Sequence, residues 1–306
     1  MTSRRKTQLL IVYILVVFLF ADVVSAASTS AQTVEKATVN LFCRIKTGGK
    51  TYIVTGSGVF IHKSGVILSN AHVAQYFLLQ SAKPRKARCS IRTGSPARDR
   101  YFADVIYIAA DWAEASIESA AQDKPKRLKS DFALLRVTGV KSGDMPESFP
   151  AIPLDFGLPL LQEGETVAIE GYPSEGSSAT AIQRKLDRIV ATSTITSILA
   201  FTQPYHDLLS IAPSLVSAGG VSGGPVLRSS GGLIGLATAV AEREKIQERS
   251  LRAITLGYID RTLRIYTGKS LIGFATDPLV KPLDAGISPF PELLKSAERQ
   301  LRNIER

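Results

Sequence analysis

Short apolar runs separated by glycine, proline, asparagine, aspartate and serine make up most of the chain between residues 38 and 255. The runs are rich in β-branched residues and have the length of β-strands, as in residues 51–69, 101–111, 132–140 and 165–173. No long stretch of this region keeps apolar residues at helical spacing, so we expect no long helix there. The pattern predicts an all-β sandwich or barrel, and it disfavours an α/β fold, in which strands alternate with helices.

A proline-rich segment divides the β region. Residues 142–159 contain four prolines and no strand pattern, which is typical of a connector. We therefore predict two β units that follow a polar linker over residues 27–37. The N-terminal barrel is expected over residues 38–145 and the C-terminal barrel over residues 146–268.

The last segment, residues 269–306, has a different pattern. From Pro291 onward its apolar residues recur at helical spacing, at Leu294, Ala297, Leu301 and Ile304. This predicts an amphipathic C-terminal helix. We expect its apolar face to dock on a barrel rather than on a partner or a membrane.

The composition is that of a globular protein with a substantial core. The chain has 306 residues, of which 45% are hydrophobic and 21% charged, with a formal net charge of +10. No basic patch interleaved with aromatic residues and no nucleic-acid-binding module occurs, so we predict no nucleic-acid partner. The sequence has no HExxH motif, Cys/His cluster, phosphate-binding loop or dinucleotide fingerprint, so we predict no metal and no cofactor.

The N-terminus has the pattern of an export signal. Residues 4–6 are basic, residues 9–20 form an unbroken apolar run, and residues 24–26 end in a small-residue cleavage site. We predict a secretory signal peptide over residues 1–26, which would place the mature protein in the periplasm or outside the cell. The alternative is an uncleaved membrane tether formed by residues 9–27.

Export implies an oxidising compartment, where disulfides persist. The chain has two cysteines, Cys43 and Cys89, each in a strand-like apolar stretch. A disulfide between them would stabilise the fold by about 3–4 kcal/mol in the chain-entropy model. Two buried free thiols are the alternative, and the sequence does not decide between them.

The stretch GGVSGGPV, residues 219–226, places Ser222 among four glycines. It fits a flexible loop, the G-x-S-x-G elbow of α/β-hydrolases, or another tight turn that presents a nucleophile. A serine nucleophile needs a histidine base and an acid that orients the base. None of the histidines follows Ser222, which excludes the order serine, acid, histidine. The acids that precede His72, Asp22 and Glu35, lie in or next to the export segment, so the order histidine, aspartate, serine remains.

His72 is the best candidate for the base, because GVILSNAHVA places it directly after an apolar strand. His62 lies in FIHKSG, where a turn residue is expected. His206 lies in QPYHDLL, where a surface or cleft-rim role is expected. For the acid, Asp131 stands at the head of the apolar run SDFALLRV, where a carboxylate can be partly buried. Asp111, in IAADWA, is the rival.

Four blocks together carry a resemblance: GSGVFIHKSGVILSNAHV, SDFALLRV, GETVAIEGYP and GGVSGGPVLRSSGGLIGLATAV. Over residues 38–265 the chain resembles the trypsin-like serine peptidases of the chymotrypsin fold, above all the protease domain of bacterial HtrA/Deg-type enzymes. The resemblance implies an all-β fold of two six-stranded antiparallel β-barrels with the site in the cleft between them. It also implies that His72 is the general base, Asp131 the orienting acid and Ser222 the nucleophile. The backbone N–H groups of Gly220 and Ser222 would form the oxyanion hole.

The chain departs from the family before the serine. Val221 occupies a position where many relatives carry Asp or Asn, so activation by capture of a new N-terminus is not expected. Val216, Ser217 and Ala218 match the specificity pocket and are uncharged, which implies a small or medium apolar P1 residue. Thr238 matches a position that flanks the substrate strand.

The sequence thus predicts an exported serine endopeptidase that acts on proteins or peptides through an acyl-enzyme. A catalytically silent binding module and a peptidase-like esterase are the alternatives, since one fold serves several functions. The 41 residues after Ile265 are too few for the PDZ domain of the HtrA relatives. The oligomeric state is not predicted.

Overall fold

The computed structural model of the chain describes residues 32–109, 111–112, 129–158, 160–201, 203–238, 250–283 and 290–305. The predicted signal peptide and tether lie outside these residues. Within the described ranges, no helix has the length and apolar character needed to cross a membrane.

Twelve antiparallel strands form two closed barrels of six strands each, with strand orders β1-β2-β3-β6-β5-β4 and β10-β11-β12-β9-β8-β7. The predicted all-β fold of two six-stranded barrels is confirmed. The first barrel consists of β1 Thr38–Thr47, β2 Lys50–His62, β3 Val66–Ser69, β4 Ala87–Thr93, β5 Arg98–Ile108 and β6 Ala133–Val140. The second consists of β7 Thr166–Gly171, β8 Ile189–Leu199, β9 Leu208–Ile211, β10 Pro225–Arg228, β11 Leu233–Thr238 and β12 Leu251–Thr255.

The helices that lie wholly within the described residues are α1 over residues 32–37, α2 Ala71–Ala82, α3 Ala179–Arg184, α4 Leu256–Thr267, α5 Leu271–Thr276 and α6 Phe290–Glu305. The expectation of no long helix between residues 38 and 255 was wrong, because α2 has 12 residues. Eight of these are buried, including apolar side chains on every face, so the sequence of α2 lacks the amphipathic spacing by which helices are recognised.

Helix α4 packs on the second barrel, against β11 and β12. Helix α4 begins after Thr255, whose hydroxyl caps it by accepting from the backbone N–H of Tyr258 at 3.1 Å. Leu256, Ile259 and Leu263 of α4 are buried in a hydrophobic cluster that contains side chains of both barrels.

The C-terminal helix α6 packs against α2. Ala297 and Leu301 of α6 are buried, and Lys83 at the end of α2 pairs with Glu298 of α6. The predicted C-terminal helix is therefore present, and the contact found for it is with α2.

Of the two alternatives for the cysteines, a disulfide or two free thiols, the structure contains the disulfide. Cys43 and Cys89 are joined by a disulfide and face each other directly in the register of β1 and β4. The bond therefore links neighbouring strands inside the first barrel, where both residues are buried.

Polar contacts hold the two barrels together. Glu170 at the end of β7 is buried and accepts hydrogen bonds from the Thr38 hydroxyl at 3.0 Å and from Arg188 at 2.7 Å. The buried Tyr172 donates from its hydroxyl to the carbonyl of Gly94 at 3.0 Å. A buried carboxylate needs such partners, because desolvation without them is costly. These contacts set the position of the second barrel relative to the first.

Candidate active site

His72 and Asp131 are in direct contact. The His72 Nδ1 lies 2.7 Å from Asp131 Oδ2, and the backbone N–H of His72 donates to Asp131 Oδ1 at 2.9 Å. Asp131 is buried, whereas 37% of the His72 side chain is exposed. The carboxylate therefore fixes the orientation of the ring through Nδ1 and leaves Nε2 as the nitrogen available for proton transfer.

Strand pairing explains this contact between residues 59 positions apart. Ser69, the last residue of β3, pairs with Ala133, the first residue of β6, in the antiparallel register. After β3 the chain enters the first turn of α2, which carries His72. Asp131 precedes β6, so it lies at the same end of the β3–β6 pair as His72. Asn70, between β3 and α2, secures this corner by donating from its side chain to the carbonyl of Asp131 at 2.8 Å.

The rival acid, Asp111, lies behind Asp131 rather than beside the imidazole. Its Oδ2 accepts from the hydroxyl of Ser130 at 2.8 Å. The same hydroxyl lies 3.2 Å from the Tyr258 hydroxyl of α4. Ser130 has a φ of +60°, a conformation uncommon outside glycine. We interpret the hydrogen-bonded cluster of Asp111, Ser130 and Tyr258 as a support for the backbone that carries Asp131.

The charge of Asp131 controls the protonation of His72. Burial disfavours the charged imidazolium, but the neighbouring carboxylate and its hydrogen bond favour it more strongly. The pKa of His72 is therefore raised above its usual value of 6.5. A base with a raised pKa is a stronger proton acceptor when it is neutral.

The turn that carries Ser222 joins β9 to β10 in the second barrel and touches the first barrel. The carbonyl of Ser222 accepts from the backbone N–H of Ser57 in β2 at 2.8 Å. A Cβ on Gly223 would overlap the carbonyl oxygen of Ser57 and the hydroxyl of Ser69, and would lie 3.1 Å from the backbone nitrogen of Asn70. The Ser222 turn thus packs directly against the corner from which His72 projects.

Gly220, predicted to contribute to the oxyanion hole, has a backbone conformation suited to glycine. Its φ is +99°. A Cβ there would lie 2.5 Å from the carbonyl oxygen of Tyr172 and 2.6 Å from the Ser174 hydroxyl. Any side chain would therefore be excluded both by the left-handed conformation and by the close approach of residues 172–174.

The residues predicted to form the specificity pocket lie close to this turn and are buried. Val216 packs in the core of the second barrel, and Ser217 and Ala218 follow it at exposures of 2% and 4%. Thr238 is the last residue of β11. The carbonyl of its neighbour Ala237 accepts from the N–H of Gly223 at 2.8 Å, which brings the end of β11 to the serine turn.

The other two histidines make contacts of their own. His62 ends β2, and its Nδ1 lies 2.9 Å from the hydroxyl of Ser64 in the hairpin that follows. His206 lines a cavity of about 220 Å³. Its backbone carbonyl accepts from Thr255 at 2.7 Å, and the cavity is also lined by Tyr205 and Arg261. These positions agree with the turn and surface roles expected for the two histidines.

Sequence reasoning missed the residues that hold the serine turn. Ser57, Ser174 and Glu175 all bond to the backbone of Gly219 or Gly220. Ser57 lies in the motif block that begins GSGVFI, but the Gly220 carbonyl to which its hydroxyl donates lies 163 residues away. Nothing in the local sequence identifies such a contact.

Two antiparallel six-stranded barrels, with a His–Asp pair on one and a glycine-bounded serine turn on the other, define the class of trypsin-like peptidases. The family model described as "Trypsin-like peptidase domain" matches residues 56–236. The match covers more than half of the chain, and the protein belongs to this family.

The chain is also similar to a solved structure, described as the crystal structure of Deg5. The two share 17% sequence identity with a TM-score of 0.49, over 80% of this chain and 96% of the Deg5 chain. No curated protein matches the sequence.

Proposed function

We propose that this trypsin-like peptidase is a serine endopeptidase that cleaves protein or peptide substrates through an acyl-enzyme. Ser222 attacks the scissile carbonyl, and His72 accepts the proton of its hydroxyl. The imidazolium then gives this proton to the amine that leaves as the C–N bond breaks, and water hydrolyses the acyl-enzyme that remains. Asp131 orients the imidazole and stabilises the imidazolium. The N–H groups of Gly220 and Ser222 bind the oxyanion.

The observation that carries the proposal is the bond between His72 Nδ1 and Asp131 Oδ2 at 2.7 Å, next to the serine turn. A histidine that served only the fold would not need a buried carboxylate on one ring nitrogen while much of its side chain stays exposed. The packing of Gly223 against the Asn70 corner supports the approach of Ser222 to the same ring.

A chemical probe tests the proposal. The purified protein lacking residues 1–26 is incubated with a fluorophosphonate, which reacts with activated serines. We expect wild type and Ser229→Ala to be labelled and Ser222→Ala to stay unlabelled. Ser229 is an exposed serine after β10 and serves as the matched control. A wild type that fails to react would identify the protein as a silent binding module.

Substrate assays then separate peptidase from esterase. We expect cleavage within peptides of a degenerate library, together with hydrolysis of a peptide ester that shows a burst of product equal to the enzyme concentration. The burst reports an acyl-enzyme. Hydrolysis of esters with no cleavage of any peptide would support the esterase instead.

We further propose that the protein is exported. The basic and apolar N-terminal pattern supports this, and the Cys43–Cys89 disulfide suits an oxidising compartment. Mass spectrometry of the protein produced from its full sequence should show a chain that begins at Ala27. An intact chain in the membrane fraction would indicate a tether, and an intact chain in the cytoplasm would contradict export.

A further inference from the structure

The peptide between Gly219 and Gly220 is held by the segment that follows β7. The carbonyl of Gly219 accepts from the backbone N–H of Ser174 at 2.8 Å, from that of Glu175 at 3.2 Å and from the Ser174 hydroxyl at 3.3 Å. The N–H of Gly219 donates to Glu175 Oε2 at 2.8 Å. Glu175 therefore binds Gly219 with its backbone and with its side chain at the same time.

These bonds determine where the next N–H group points. The carbonyl of Gly219 and the N–H of Gly220 belong to one planar trans peptide, so they point in opposite directions. Because Ser174 and Glu175 hold the carbonyl, the N–H of Gly220 points away from them. No described residue accepts a hydrogen bond from this N–H, as expected of a donor reserved for a developing oxyanion.

Ser57 holds the following peptide from the first barrel. Its hydroxyl accepts from the N–H of Tyr172 at 2.9 Å and donates to the carbonyl of Gly220 at 2.8 Å. Ser57 itself is fully buried. Both peptides that flank Gly220 are thus fixed from outside the serine turn.

The residue before the serine does not provide a polar anchor. Val221 is fully buried in the core of the second barrel and has no group that could form an ion pair. In this chain the turn depends instead on an apolar anchor at Val221 and on the bonds from Ser57, Ser174 and Glu175. These contacts hold the turn without an ion pair to a newly formed N-terminus.

We infer that Glu175 is a positioning residue of the oxyanion hole. Its backbone N–H holds the carbonyl of the Gly219–Gly220 peptide, and its carboxylate holds the N–H of the preceding Ala218–Gly219 peptide, so that Gly219 between them keeps one conformation. The inference rests on the proposed function. Glu175 is an exposed residue that does not contribute to the core. Its carboxylate should therefore act on the geometry of the turn far more than on the stability of the fold.

Three variants separate this role from a merely structural one. Glu175→Ala removes the acceptor of the Gly219 N–H, whereas Glu175→Gln keeps an acceptor oxygen at the same distance along the side chain. Glu163→Ala is the matched control, because Glu163 is another exposed glutamate of the second barrel that accepts a backbone N–H, from Ile198 at 3.3 Å. For each variant, kcat and KM are measured on a peptide that wild type cleaves, along with inhibition by the matching peptide boronic acid and the melting temperature.

We expect Glu175→Ala to lower kcat about tenfold, since a misoriented donor loses part of the large effect of an oxyanion-hole donor. Its KM should stay within about twofold, and inhibition by the boronic acid should weaken in proportion to kcat. Glu175→Gln should recover most of kcat. Both Glu175 variants should have the same melting temperature as the control Glu163→Ala.

Two results would overturn the inference and leave the proposed function intact. In the first, wild type is active and Glu175→Ala has the same kcat as Glu163→Ala. In the second, Glu175→Gln loses as much kcat as Glu175→Ala. A wild type that neither cleaves peptides nor reacts with the fluorophosphonate would reject the proposed function and this inference together.

Discussion

Replacing Gly223 by alanine tests the packing of the serine turn against the His72 corner. The added Cβ would overlap the Ser57 carbonyl oxygen and the Ser69 hydroxyl, and would meet the Asn70 nitrogen at 3.1 Å. Two of these groups belong to the backbone of the first barrel and cannot rotate away. The turn must therefore move, and Ser222 moves with it.

Gly164→Ala provides a matched control for this variant. Gly164 and Gly223 share a φ of +86°, but a Cβ on Gly164 would have no atom within 4 Å. Both substitutions pay the left-handed strain of about 1–2 kcal/mol. Only Gly223→Ala adds an overpacking penalty of about 1–3 kcal/mol. The difference between the two variants isolates the contact between turn and corner.

Urea unfolding followed by circular dichroism gives the two free energies, and the rate of fluorophosphonate labelling gives the reactivity of Ser222. We expect Gly223→Ala to lose about 1–3 kcal/mol more than Gly164→Ala. Its labelling rate should fall at least about 100-fold, because a displacement of 1 Å costs that much. Equal free energies and unchanged labelling in both variants would refute the close packing of the turn on the corner.

The other predictions concern the triad and the disulfide. Because the pKa of His72 is raised, kcat/KM should rise with pH to a midpoint above 6.5, whereas a midpoint at or below 6.5 would contradict the Asp131 contact. By linkage, the stability that this pair contributes should be complete below 6.5 and lost as pH rises through the raised pKa, which urea midpoints against pH would show. Asp131→Asn should lower kcat by about 10³–10⁴-fold and move the activity midpoint downward, and a wild-type profile would exclude Asp131 as the acid. Replacing Cys43 and Cys89 by alanine, which opens a loop of 46 residues, should lower the free energy of unfolding by about 4 kcal/mol, whereas an unchanged value would show that the disulfide does not constrain the unfolded chain.

The strand pattern and the motif blocks predicted the fold well because strand identity is a local property. Alternating apolar runs bounded by turn residues mark barrel strands even when their partners are unknown. Helix α2 was missed for a local reason too, since eight of its 12 residues are buried and its apolar residues do not recur on one face only. The histidine that it carries was nevertheless predicted as the base, because the apolar strand before it was visible in the sequence.

The order of residue types along the chain, the position of His72 and Asp131 next to apolar strands and the family resemblance together brought His72, Asp131 and Ser222 into one hypothesis. Order does not reveal supporting contacts. The bond from Ser57 to Gly220 spans 163 positions and that from Glu175 to Gly219 spans 44, and each depends on how one barrel or loop sits on another. Neither residue lies in a pattern that would distinguish it from an ordinary polar surface or turn residue. Likewise, the local sequence left Asp111 and Asp131 as rivals, and the contact of Asp131 with His72 separates their roles.

Peptide mapping of the fluorophosphonate adduct tests the central claim most directly. A reactive hydroxyl at residue 222 requires the imidazole that Asp131 holds at 2.7 Å. Mass spectrometry should therefore find the adduct on Ser222 in the wild-type protein and on no residue in His72→Ala. An adduct on a different serine, or equal modification of Ser222 in both proteins, would contradict the catalytic unit proposed here.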